Sequence, residues 1–192
     1  MSPNVSRPLV VGVVGSLNDG SVTRQATRHA LEAAQKRGAR TELLDLREYD
    51  LPAFDPNVDP PADAVELTDR IEAADSVLLG TPMYHGSYSS VLKTALDYCG
   101  FDEFEDTTVG LLAVSGGGFP LPALSHLREV CRAFEAWVLP TQAAVTDSHS
   151  VGDELPESDR ERLGELGQQA VTYADVAPSH PAGACPGVPA DD

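Results

Sequence analysis

The chain has 192 residues and a formal net charge of -17, from 30 acidic and 13 basic side chains. This length suits one domain, which we predict over residues 1–176. The charge disfavours nucleic acid and anionic membranes as partners, because like charges repel. Only two of the basic residues are lysines. This composition suggests a salt-adapted protein, with ordinary solubility as the alternative.

Short apolar runs alternate with amphipathic segments along the chain. The runs predict strands over residues 9–14, 41–46, 76–81 (ended by Pro82), 108–114 and part of 137–145. Helices are predicted over residues 21–37 and 62–74, from Ser89 to about Cys99, around 124–134, and over 156–173. Residues 51–61 contain four prolines and are predicted as a surface loop. Residues 177–192 are predicted as a disordered tail.

Alternating strands and helices predict an α/β fold with a parallel sheet. Five such units favour a flavodoxin-like three-layer sandwich with strand order 2-1-3-4-5. In this architecture ligands bind beyond the carboxyl ends of the strands, where the strand order reverses. We therefore predict a site formed by the loops after the first, third and fourth strands.

The loop after the first strand has the composition of a phosphate site. Ser16, Ser21 and Thr23 supply hydroxyls at a helix N-terminus, and Arg24 adds a charge in the first turn. The loop has neither the Gly-Lys-Ser/Thr of a Walker sequence nor the spacing of a dinucleotide fingerprint. A tight strand-to-helix turn without a ligand explains this loop equally well when it is considered alone.

The loop after the third strand is more specific. Thr81-Pro-Met-Tyr-His-Gly-Ser87, followed by Leu92-Lys-Thr-Ala-Leu-Asp97, resembles the signature of the NADPH-dependent FMN reductase family. That signature reads Pro-Glu-Tyr-Asn-Gly-Ser and then Leu-Lys-Asn-Ala-Ile-Asp. Leu51-Pro-Ala-Phe-Asp55 is similar to a further loop of the family, and the resemblance extends over residues 10–145. Met83 and His85 replace the usual Glu and Asn, and Asn18 replaces a common Arg.

The resemblance implies an FMN-dependent oxidoreductase that takes hydride from NADPH or NADH at flavin N5. The electrons would pass to free flavin, a quinone or another small acceptor. The resemblance also implies a homodimer or homotetramer. It implies cofactor-binding roles for Ser16, Asn18, Ser21, Thr23 and Arg24 at the phosphate, for Pro82, Met83, Tyr84, His85, Gly86 and Ser87 at the isoalloxazine ring, and for Ser115, Gly116 and Gly117 on its other side. No catalytic side chain is required, since the flavin carries the chemistry.

Several alternatives remain open from the sequence. A flavodoxin-type electron carrier would bind FMN without oxidising a nicotinamide. His85 could donate a proton to a quinone or only form part of the loop. Cys99 and Cys131 fall on apolar helix faces and are expected to be inert. The histidines lack metal-ligand spacing, so no metal is predicted. Three widely spaced cysteines and no apparent secretory signal lead us to expect a cytoplasmic protein.

Overall fold

A computed structural model describes residues 7–174. Its strands are β1 (Leu9–Val14), β2 (Arg40–Asp45), β3 (Ser76–Tyr84), β4 (Ser87–Tyr88), β5 (Thr108–Val114) and β6 (Trp137–Val145). The sheet order is β2-β1-β3-β5-β6, and the two-residue β4 pairs only with β3, antiparallel to it. The five long strands are parallel. Their order is therefore the predicted order 2-1-3-4-5, and the flavodoxin-like prediction is confirmed.

Helices cover both faces of the sheet. They are α1 (Val22–Lys36), α2 (Ala62–Glu72), α3 (Ser90–Asp97), α4 (Phe101–Phe104), α5 (Leu121–Ala133) and α6 (Glu157–Thr172). Helices α1 and α6 pack on one face, and the other four helices contribute to the core on the opposite face. Side chains of β1 alternate between the two faces, since Val10 packs in the core beneath α1 and α6 and Val11 packs in the core on the opposite face.

The predicted ends of α1 are confirmed. The Ser21 hydroxyl accepts a hydrogen bond from the amide of Arg24 at 3.1 Å, which is the geometry of a helix N-cap. At the other end Gly38 has a φ of 110°, a conformation that glycine adopts without strain. Ser21 therefore places the start of α1 directly after the first loop.

Two predicted boundaries were wrong. Strand β3 does not end at Pro82 but continues to Tyr84 and turns back into β4. Strand β1 ends opposite Gly80, so at Pro82 the strand pairs with β5 alone and tolerates a residue without an N–H. Helix α3 begins at Ser90 with Ser89 as its cap and ends before Cys99.

The remaining elements agree with the predicted pattern or extend it. Residues 51–61 form no helix or strand, as predicted, whereas the short helix α4 was missed. The predicted tail over 177–192 lies outside the described residues. None of the helices described combines the length and hydrophobicity that crossing a bilayer requires.

Candidate functional site

Three loops meet at the carboxyl edge of the sheet because they follow neighbouring parallel strands. They are the first loop (residues 15–21, after β1), the second loop (residues 82–87, at the end of β3) and the third loop (residues 115–119, after β5). The start of the first loop is bonded to β3, because the Gly15 amide donates to the Gly80 carbonyl at 2.8 Å. The third loop begins beside β6, where the Ser115 amide donates to the Val145 carbonyl at 2.9 Å. The predicted site residues therefore lie along one edge.

The first loop presents open backbone donors. Within residues 7–174, no hydrogen bond is donated by the amides of Leu17, Asp19, Ser21, Val22 and Thr23. The Ser16, Ser21 and Thr23 side chains are buried beside these amides. Amides at a helix N-terminus carry partial positive charge. The loop therefore has the donors that a phosphate requires.

Asn18 shapes this loop through its own side chain. Its Oδ1 accepts a hydrogen bond from the amide of Gly20 at 2.9 Å, and its amide donates to the Ser16 hydroxyl at 3.4 Å. Such a side-chain turn fixes the backbone over three residues. Asn18 stabilises the loop locally and supplies no charge to it.

The Arg24 side chain is bonded to the end of β2 and to the backbone of the first loop. Its Nε donates to the Asp45 carboxylate at 2.7 Å, and its two terminal nitrogens donate to the carbonyls of Asn18 and Asp19, both at 3.0 Å. Three of its five N–H groups are therefore used within the protein. The side chain is only 12% exposed. Arg24 thus contributes to loop geometry as well as to local charge.

Two residues at the end of β2 belong to the same cluster and were not predicted from the sequence. Asp45 is the last residue of the strand, and Arg47 follows it in the next turn. Arg47 donates to Asp45 through Nε at 3.1 Å and through a terminal nitrogen at 2.8 Å, and it donates to Asp19 at 3.1 Å. Burial by itself raises the pKa of the Asp45 carboxyl, but the hydrogen bonds from Arg47 and Arg24 outweigh burial and lower that pKa. An acid at the carboxyl end of a buried strand, two residues before an arginine, was the available signal.

The second loop is a two-residue β-hairpin. Met83 pairs with Tyr88 and Tyr84 with Ser87, which leaves His85 and Gly86 at the turn. Their φ angles are 50° and 82°. Two consecutive positive φ angles define a type I′ turn, which Asn-Gly favours most. His85 therefore occupies a backbone position that a residue with a Cβ adopts at some cost. Its side chain is exposed.

The side chains of the hairpin differ in exposure. Pro82 is buried, Met83 is half-buried, and the Tyr84 ring is 56% exposed. The Ser87 hydroxyl lies 3.0 Å from Nδ1 of His126 on α5. These two residues are 39 positions apart, so no local sequence pattern predicted their contact. This contact joins the hairpin to the helix that follows the third loop.

The third loop is a tight turn closed by its first side chain. The Ser115 hydroxyl donates to the carbonyl of Gly118 at 2.5 Å and lies 3.1 Å from that of Gly117. A Cβ on Gly116 would lie 2.5 Å from Nε2 of His149, so the imidazole fills the space beside this glycine. Gly117 and Gly118 are exposed, and a Cβ at either position would lie in open space. Phe119, which follows them, is 58% exposed.

A groove of about 620 Å³ lies beside the first loop, between the first half of α1 and residues 151–160. It is lined by residues of both charge signs, among them Arg28, Glu32, Asp153 and Arg160. The loops of residues 82–87 and 115–119 do not line it. A flat aromatic ligand held between the three loops would therefore lie outside this groove. Among residues 7–174, no three His, Cys, Asp or Glu side chains are arranged to hold a metal ion.

Five parallel strands in the order 2-1-3-4-5, with loops converging at their carboxyl edge, define a flavodoxin-like α/β protein. Residues 8–150 match the sequence model of the NADPH-dependent FMN reductase family. The chain belongs to this family, which places it among the oxidoreductases.

Individual relatives agree with this assignment. An FMN-dependent NADPH-azoreductase of Staphylococcus aureus is 37% identical over 142 residues, which cover 71% of this chain and 76% of that protein. The flavoenzyme NAD(P)H:acceptor oxidoreductase FerB of Paracoccus denitrificans has a TM-score of 0.74 at 21% identity and covers 88% of this chain and 98% of its own. The apo form of an NADH:FMN oxidoreductase has a TM-score of 0.74 at 21% identity, covering 91% and 92%. These two structures support the fold.

Proposed function

We propose that this chain binds FMN and uses it to oxidise NADPH or NADH, with transfer of the electrons to a small acceptor such as free flavin, a quinone or an azo compound. The set of open amides in the first loop is the observation that carries the proposal. A family of FMN reductases and a 37% identical FMN-dependent NADPH-azoreductase support the same ligand. The azo acceptor is suggested by that relative alone.

The FMN phosphate would bind in the first loop. Its donors would be the open amides and the hydroxyls of Ser16, Ser21 and Thr23. We assign Asn18 and Arg24 to the same phosphate site in a supporting role, since their side chains bond the loop itself. Arg24 would also attract the phosphate through its charge. Two of its N–H groups make no hydrogen bond in the described residues and could donate to the phosphate.

The isoalloxazine ring would lie between the second and third loops. Pro82, Met83, Tyr84, His85, Gly86 and Ser87 would line one side of this space, and Ser115, Gly116 and Gly117 the other. Exposed glycine backbone at Gly117 lets a flat ring approach closely and receive amide hydrogen bonds. When bound, FMN supplies N5 as the acceptor of hydride. The protein would position the ring and exclude water on one side of it.

The exposed Tyr84 ring is the large aromatic side chain at the tip of the second loop. Its position suits contact with the ring system or with the nicotinamide. His126 would act indirectly, because it contacts Ser87 and so fixes the orientation of the hairpin. We assign no catalytic side chain, since hydride transfer to a flavin needs position and polarity more than a proton donor.

Anaerobic mixing tests the oxidoreductase proposal. The purified protein, loaded with FMN, is mixed with NADPH or with NADH, and the flavin absorbance near 450 nm is followed. We expect bleaching by at least one donor and recovery of the absorbance when an acceptor is added. Bound FMN that neither donor bleaches would favour the electron-carrier alternative. A protein that binds no FMN at all would exclude both.

The acceptor, the assembly and the environment are further parts of the proposal. Parallel assays with free FMN, benzoquinones and azo dyes would rank the acceptors. We propose a homodimer or homotetramer, which light scattering at several concentrations measures. The free thiols of Cys99 and Cys131 suit a reducing cytoplasm. The net charge of -17 suits a salt-adapted source.

A further inference from the structure

We infer that Asp45 is a positioning residue for the cofactor: through Arg24 and Arg47 it holds the first loop in the shape that receives the FMN phosphate. The inference rests on the proposed function. It adds a residue from a strand outside the three loops of the site. Asp45 itself would not contact the ligand.

Asp45 is the last residue of β2 and lies opposite Val14, the last residue of β1. Its side chain is 5% exposed. Two arginines from different elements share its Oδ2 atom, at 2.7 Å from Arg24 Nε and 2.8 Å from a terminal nitrogen of Arg47. Its Oδ1 accepts the Arg47 amide at 3.2 Å. The buried carboxylate therefore fixes both guanidinium groups.

The two arginines in turn fix the first loop. Arg24 donates to the carbonyls of Asn18 and Asp19, and Arg47 donates to the Asp19 carboxylate. In a trans peptide the carbonyl and the following N–H point in opposite directions. Carbonyls of Asn18 and Asp19 that face the guanidinium therefore turn the next amides, those of Asp19 and Gly20, away from it. The Asp19 amide is one of the open donors of the loop.

The charge of the cluster also suits an anion. Two guanidinium groups face one buried carboxylate, and the second carboxylate, Asp19, is fully exposed to solvent. Water screens an exposed carboxylate far more than a buried one. The cluster balances two guanidinium groups against two carboxylates and so places no net negative charge beside the open amides, although the chain as a whole is acidic.

A second ion pair between a carboxylate of β2 and an arginine provides a matched comparison. Glu42 of β2 pairs with Arg70 of α2, with both side chains about one-third exposed. Within residues 7–174, no hydrogen bond or ion pair links either side chain to the first loop. Glu42→Gln removes a carboxylate of β2 from an arginine, as Asp45→Asn does, but it leaves the first loop intact.

The test measures binding of FMN and of riboflavin, which lacks the phosphate, to the apo protein by flavin fluorescence. For Asp45→Asn we expect the Kd of FMN to rise about tenfold, because charge-assisted hydrogen bonds that hold the loop are lost. For Arg47→Ala we expect a rise of about threefold, since Arg24 keeps its partner. The Kd of riboflavin should stay within about twofold in both variants, and Glu42→Gln should change neither Kd.

The outcomes separate this inference from the proposed function. If the wild-type protein binds neither flavin, or binds FMN no better than riboflavin, the proposed function fails. If the wild-type protein prefers FMN but Asp45→Asn and Arg47→Ala keep that preference, Asp45 has no positioning role. An equal loss of both flavins also overturns the inference. If Asp45→Asn does not fold, the test rests on Arg47→Ala, which changes an exposed residue. A weaker preference of Arg47→Ala for FMN over riboflavin then supports the inference, and an unchanged preference overturns it.

Discussion

The Ser89 hydroxyl connects the start of α3 to the first loop, and its removal should have a measurable cost. It accepts a hydrogen bond from the amide of Leu92 at 3.1 Å, which caps the helix, and donates to the carbonyl of Gly15 at 2.6 Å. The residue is 2% exposed. In Ser89→Ala both bonds are lost, and no water can easily replace them at a buried position.

The magnitude follows from the two bonds. Loss of an N-cap costs about 1 kcal/mol, and a buried carbonyl left without a partner costs about 1–3 kcal/mol. We therefore expect Ser89→Ala to lower the free energy of unfolding by about 2–4 kcal/mol. For a domain of this size the midpoint of thermal unfolding should fall by about 4–16 °C. FMN binding should weaken as well, because Gly15 begins the first loop.

Urea unfolding of the apo protein, followed by circular dichroism, measures this cost. The control is Ser90→Ala, because the adjacent Ser90 is exposed and its side chain makes no hydrogen bond within residues 7–174. That variant should stay within about 0.5 kcal/mol of the wild type. Equal urea midpoints for Ser89→Ala and Ser90→Ala would show that the two hydrogen bonds of the Ser89 hydroxyl do not stabilise the fold.

Four shorter predictions follow from other parts of the molecule. His85→Asn should raise the free energy of unfolding by about 0.5 kcal/mol in thermal unfolding, because Asn fits a type I′ turn better. NADPH oxidation should be unchanged in this variant. A loss of quinone reduction would instead make His85 the proton donor. Gly116→Ala should weaken FMN binding in fluorescence titration, since the added Cβ would lie 2.5 Å from Nε2 of His149. A double variant that also carries His149→Ala should regain affinity. The control Gly118→Ala, where a Cβ meets open space, should bind FMN normally. FMN retention and the unfolding midpoint should both increase from low to molar KCl, where the Debye length is about 3 Å; an indifferent response would remove the high-salt interpretation. The third cysteine, Cys185, lies outside the described residues, so the reactivity of the other two is measured in a Cys185→Ala variant at pH 8. No thiol of this variant should react with a disulfide reagent before unfolding, because burial raises the pKa of Cys131 to about 12 and that of Cys99 further. Rapid reaction of the folded variant would contradict this prediction.

The hairpin shows how a short motif acquires a physical meaning in the structure. Tyr84-His85-Gly86-Ser87 resembles a family signature with Asn at the second position. The structure places that position at the first central residue of a type I′ turn, where the backbone φ is positive. The requirement at this position is thus conformational. Replacement of Asn by His keeps the turn, because histidine is one of the residues that tolerate positive φ.

The strands and their order could be predicted from the sequence. Runs such as Leu9–Val14 and Thr108–Val114 are apolar and rich in β-branched residues, which are typical of strands buried on both faces. Five strand-helix units then leave few topologies, because crossovers are right-handed. The end of β3 could not be predicted in this way. Pro82 usually interrupts a strand, and only the short length of the neighbouring β1 makes it acceptable.

The fold class, the three loops and the family resemblance can be predicted from the sequence, because periodicity, glycine position and local motifs are properties of neighbouring residues. Which side chains meet depends on the folded chain: Asp45 contacts Arg24, Ser87 contacts His126, and Gly116 lies against His149. These partners are separated by 21, 39 and 33 positions in the chain. Their contacts depend on the order and twist of the strands, which bring distant loops to one edge of the sheet. Arg24 therefore bonds a carboxylate of β2, although its place in the sequence indicated a phosphate alone.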